Sequence, residues 1–157
     1  VTSLDQSRAR QKNAAIQLEL ARQIQERRLW IGVVQHAQVC IEECAKAVIA
    51  CFARPIPVHD PSPQLRTIFR ASGEVIVKAC GQEVFTSLQE LAVDAREASP
   101  WHTRSTYGEV TSEGIWRSAP ELCTQEVAAD IFTRAERSYT TLNAFLSQWA
   151  QSDEEKG

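Results

Sequence analysis

The sequence predicts an all-α protein, an up-and-down bundle of four to five helices. Long stretches free of Gly and Pro repeat apolar residues every three to four positions. The one short apolar run that could be a strand, Val75-Ile76-Val77, has no partner run elsewhere, so it too reads as helix. At 157 residues, with 43% hydrophobic and 24% charged side chains, the chain is the size of one domain and can bury one core.

Ser3-Leu4-Asp5-Gln6 has the form of a capping box, and residues 5–27 follow with Ile16, Leu20 and Ile24 four apart. A second helix is expected from Leu29 to Phe52. Its stripe of Val33, Ala37, Cys40, Ile41, Cys44 and Val48 is apolar nearly all round, which places it centrally. Pro55, Pro57, Pro61 and Pro63 make the next segment a stiff, extended link. A short helix from Pro63 to Ala71 is then expected to stop at Ser72-Gly73, and a further helix to run from Gln82 to Ala98. Residues 99–122 read as a long irregular segment, anchored by Trp101 and Trp116. The last helix spans about Thr124 to Gln151. Residues 1–151 thus form one domain, and the charged residues 152–157 are expected to be a disordered tail.

The net charge of −3 and a pI near 5.7 argue against sequence-independent binding of bulk DNA, which needs many cationic contacts to phosphate. No apolar run reaches the roughly 20 residues that span a bilayer, so no membrane association is expected. The opening Val1-Thr2-Ser3-Leu4-Asp5 lacks the order of a secretion signal. The odd set Cys40, Cys44, Cys51, Cys80 and Cys123 then reads as reduced thiols in a cytoplasmic protein. His36, Cys40 and Cys44 share a helix face. A structural zinc site needs a fourth ligand, and buried Cys ordinarily packs as a small hydrophobe, so neither a metal nor a cofactor is expected.

Polar residues stand out in three places. On the second helix, His36-Ala37-Gln38 precedes Glu42 and Lys46, an i, i+4 ion pair on an apolar helix, either a structural network or a ligand-facing site. In the link stands His59-Asp60, where Asp60 can also serve to cap the next helix. Beyond residue 99, Trp101, His102, Arg104, Tyr107, Trp116 and Arg117 mix aromatic faces, which stack on bases, with guanidinium groups, which pair with phosphate. The same cluster could instead plug a long loop onto the bundle.

In this order the three stretches resemble the HEPN family. The resemblance lies in His36-Ala37-Gln38 followed by Glu42 and Lys46, in His59-Asp60 after a proline-containing link, and in Thr103-Arg104-Ser105-Thr106-Tyr107-Gly108 before the last helix. It covers nearly the whole chain. It implies a helical bundle that forms a homodimer and binds nucleotide or RNA through His36, Glu42, Lys46, His59, Asp60, Trp101, Arg104 and Tyr107. It also implies a minimal nucleotidyltransferase as partner, in the manner of toxin–antitoxin pairs. Some members of the family are metal-independent endoribonucleases that use an Arg, four to six residues, then His. Arg54 with His59 has that spacing, and so does Arg96 with His102. There the His would move protons and the Arg would stabilise the charged phosphorane. A third implication is a structural dimerisation partner without ligand.

Overall fold

The structure, a computed structural model, describes residues 3–154. Helix α1 (Ser3–Glu26) turns at Arg27-Arg28, where Arg28 takes a φ of 56°, and folds back as α2 (Trp30–Ala50). Small residues allow the two to lie close. Ala14 and Ala21 are fully buried, and the Ser7 hydroxyl donates to the carbonyl of Ala47 at 2.7 Å. The even apolarity of α2 does place it centrally, in contact with α1, with α3 (Ser62–Cys80), with α4 (Gln82–Ala98) and with α7 (Gln125–Glu154). Ile41, Leu65, Leu88, Leu142 and Phe145 meet in one core, each buried to 0% exposure. Each such side chain contributes about 1.5–3 kcal/mol relative to exposure. The result is an all-α bundle of five long helices. Among the described residues no helix is long and apolar enough to cross a membrane.

Three expectations are corrected. The short helix does not stop at Ser72-Gly73; α3 runs through to Cys80. Gly73 is there for packing, because a Cβ at this position would stand 3.1 Å from Cζ of Phe85 on α4. The break comes at Gly81, whose φ of 88° lets the chain leave α3 and enter α4 in a single residue. Second, residues 99–122 are mostly ordered as regular structure. They comprise α5 (Trp101–Tyr107), a small hairpin of β1 (Glu109–Val110) and β2 (Trp116–Arg117), and the single turn α6 (Ala119–Leu122). Gly108, at φ 77°, makes the corner between α5 and the hairpin, where any Cβ would run into the backbone oxygen of Arg117. Third, α7 continues to Glu154, so 152–154 are helical rather than a tail; the remainder of the expected tail lies outside the described residues.

All five cysteines are free. Four are buried, and burial pushes the thiols of Cys44, Cys80 and Cys123 up, Cys80 to about 11, which suits the reading as core hydrophobes. A buried ion cluster ties α4 to α7. Asp94, 1% exposed, accepts from Arg137 Nε and Nη2 at 2.9 and 2.6 Å and from Arg134 Nη1 at 2.9 Å.

Candidate histidine–carboxylate site

The link between α2 and α3 carries His59, and several local devices set its course. Proline fixes φ at Pro55, Pro57 and Pro61, and Pro63 sits in the first turn of α3, where its missing N–H costs nothing. The Gln64 side chain reaches back from α3 like one more strand. Its Oε1 accepts from the Ile56 N–H at 3.0 Å and its Nε2 donates to the Arg54 carbonyl at 2.9 Å. Asp60 accepts from the Ser62 N–H at 3.0 Å, an Asx turn that starts α3. Asp60 thus serves the first N–H of α3 from the residue ahead of the N-cap position, which Pro61 holds without a side-chain cap.

So directed, His59 lies over α2 beside the Glu42 carboxylate, with Nδ1 3.3 Å from Oε2. His102, in the first turn of α5, comes to the same place. Its ring stacks on that of His59, centroids 3.5 Å apart and planes 17° from parallel. Helix α5 is held on α2 by Trp101, which packs on the core, and by Gln35 Nε2, which donates to the Ser105 carbonyl at 3.0 Å.

Beneath the imidazoles runs a chain of hydrogen bonds with a fixed polarity. Lys46 can only donate, and does so to Glu42 Oε1 at 2.6 Å. Gln38 Nε2 donates to Glu42 Oε2 at 3.0 Å. Gln38 must then accept at Oε1, from Nδ1 of His102 at 3.4 Å. With Glu42 as acceptor, His59 likewise presents Nδ1–H. In the neutral form both rings thus carry the proton on Nδ1 and keep Nε2 as the acceptor. Lys46 and Gln38 are 7% and 2% exposed, while the His59 side chain is 57% exposed, so the site grades from core to solvent. Burial raises the proton affinity of Glu42, but the hydrogen bonds from Lys46, Gln38 and His59 outweigh it and hold the carboxyl below its ordinary value. One ligand atom each from Glu42, His59 and His102 lie within 4.8 Å of one another, the one such group of three among the described residues.

The other expected site residues fall elsewhere. His36 faces α1, with Nδ1 2.7 Å from Gln17 Oε1, and burial holds its imidazole below the usual range. Arg104 is occupied: Glu109 accepts from its Nε and Nη2 at 3.0 and 2.9 Å, and it lies over the Trp101 ring. Tyr107 is 73% exposed and Trp116, on the hairpin, 61%. Arg96 is exposed on α4. Among the described residues neither Arg54 nor Arg96 bonds to an imidazole; Arg54 instead lines a groove of about 1050 Å³ together with Arg10, Lys46, Pro55 and Pro57.

Sequence reasoning quoted Gln38 only as part of a motif and did not single out Gln64, yet the first bridges Glu42 and His102 and the second holds the link. Gln38 stands four before Glu42, a spacing that hinted at its bond; for Gln64, which acts across eight to ten residues, no periodicity gives a signal. Comparison of the chain with family models, with curated proteins and with solved structures finds no match.

Proposed function

We propose that this chain is a HEPN-type domain that binds nucleotide or RNA at the Glu42–His59–His102 cluster, forms a homodimer, and works with a minimal nucleotidyltransferase partner. One observation carries the reading. Two of the stretches that resemble the family signature, and the residue just before the third, are well separated in sequence yet meet in one connected cluster. The first supplies Glu42 and Lys46, the second His59, and His102 stands immediately before the third. Exposed groups in the chain suit a single-stranded polyanion with bases. Arg54 lines the adjoining groove. Tyr107 and Trp116 offer open aromatic faces. Between α3 and α4 a groove of about 470 Å³, continued by the exposed Val75 and Val93, offers a face for a second copy.

Titration with ATP and with a short single-stranded RNA tests the binding. Trp116→Ala is expected to weaken RNA binding about 5- to 100-fold, as the loss of one stacked base does, and Arg54→Ala to weaken it in a salt-dependent way. Absence of measurable affinity of the intact protein for either ligand sinks the proposal.

A second reading, a metal-independent endoribonuclease, is favoured by the pairing of two imidazoles. Two imidazoles stacked 3.5 Å apart, that of His59 exposed, could take a proton from a ribose 2′-hydroxyl and, once one ring is protonated, return it to the leaving 5′-oxygen. Incubation with RNA in EDTA decides it: cleavage by the intact protein that His59→Ala and His102→Ala each abolish supports the enzyme, and intact RNA leaves the binding module.

A further inference from the structure

We infer that Glu42, His59 and His102 form a binding site for a first-row transition-metal dication of the zinc type, with three protein ligands and the remaining position open to solvent. The site uses the same three residues as the proposed RNA-binding cluster, but it follows from their donor atoms and does not rest on that reading.

The donor set and its spacing both point there. Two imidazoles and one carboxylate are the ligands of borderline cations such as Zn²⁺, Ni²⁺ and Co²⁺, whereas Mg²⁺ and Ca²⁺ take oxygen almost exclusively. In a tetrahedral site with bonds of about 2.0–2.1 Å, neighbouring ligand atoms stand ~3.3–3.4 Å apart. His59 Nδ1 and Glu42 Oε2 are already at 3.3 Å, one edge of such a tetrahedron. A nitrogen of His102 completes a group spanning no more than 4.8 Å; because the two imidazoles stack with planes 17° from parallel, one ring must also rotate out of the stack for both to aim a lone pair at one ion. The ring with room to turn is that of His59, whose side chain is 57% exposed, while Glu42 is fixed on the central helix.

The surroundings complete the site as outer partners do in known metal centres. Lys46 occupies only Oε1 of Glu42, at 2.6 Å, and keeps the carboxylate oriented with Oε2 toward the imidazoles. Gln38, nearly fully buried, bonds both Glu42 and His102 and so ties two of the ligands together. When an ion binds, the Nδ1 proton of His59 moves to Nε2, the other neutral tautomer, and Oε2 exchanges its hydrogen bond from His59 for the metal. No redox change is involved. The nearby Lys46 ammonium opposes a dication, so binding weaker than at a structural zinc is expected.

The test is calorimetric titration of untagged, EDTA-treated and dialysed protein with Zn²⁺, with Mg²⁺ as the control ion. The intact chain is expected to take up one Zn²⁺ and no Mg²⁺. His59→Ala and His102→Ala should each lower the Zn²⁺ affinity at least tenfold. His59 is exposed, so its variant keeps the fold, and an unchanged far-UV spectrum checks this. Co²⁺ substitution separates this site from the cysteines: nitrogen and oxygen ligands give visible d–d bands without the near-ultraviolet thiolate charge-transfer band. Failure of the intact protein to bind Zn²⁺, equal affinity in the histidine variants, or a thiolate band in the Co²⁺ spectrum overturns the inference. No arm contains RNA, so a negative result leaves the RNA proposal as it stands.

Discussion

Glu42 holds the cluster together. It accepts from Lys46, Gln38 and His59, and both it and Lys46 are largely withdrawn from water. Glu42→Gln removes the carboxylate bonded to a 7% exposed ammonium. Chemical denaturation is expected to show a loss of about 3 kcal/mol, since breaking one side of a buried pair strands the other charge. Adding Lys46→Met should recover much of that loss, and equal stability of the single and double variants would show that Lys46 reaches water unaided. The pH dependence has a definite sign. The folded-state carboxyl titrates below its ordinary value of 4.5, so its contribution is complete above that pH and is lost as the pH falls through the lower folded value. The Glu42→Gln variant should lack this part of the acid slope. The i, i+4 spacing of Glu42 and Lys46 was open to view in the sequence. Their meeting with His59 and His102 was not, because it depends on how a link and a short helix fold back onto α2.

The helices divide into those that periodicity reveals and those that it cannot. In α1, α2, α4 and α7 the apolar residues recur at helical spacing, and their limits were legible to within a few residues. Ser72-Gly73 misled, because glycine marks a stop only when the chain needs its left-handed conformation, and Gly73 answers instead to the closeness of Phe85. Gly73→Leu is accordingly expected to destabilise the fold by about 1–3 kcal/mol through overpacking between α3 and α4, read by thermal melting, despite its better helix propensity. The hairpin and α6 were hidden by their brevity, although Ser118 and Glu121 form a complete capping box that could have signalled a turn of helix. The contact of α4 with α7 has its own fastening. Asp94→Ala should cost about 2–3 kcal/mol through lost charge-assisted hydrogen bonds. Arg134 and Arg137 both have part of their surface in water, so neither is stranded as Lys46 is when Glu42 is replaced.

At the level of the whole molecule, one core unites α1, α2, α3, α4 and α7, and the polar cluster lies where the link and α5 cross the middle helix. The α3–α4 face, with Val75 and Val93 near half exposed, is on a different pair of helices. If that face joins two copies, Val93→Lys should convert a dimer to a monomer in sedimentation velocity without changing Zn²⁺ uptake; a wild type that sediments as a monomer at every concentration removes the dimer. The composition showed that a core could form, but not which surface would be left bare, since Val93 follows the buried Leu91 and Ala92 in one unbroken apolar run. The link also has a consequence for handling the protein. Arg54 is its exposed basic residue, yet Pro55 follows it, and trypsin scarcely cuts a bond that leads into proline. Brief digestion should therefore spare the strap that carries His59 and open the chain first after Arg28, in the bent turn between α1 and α2, leaving a fragment that still holds all three histidines.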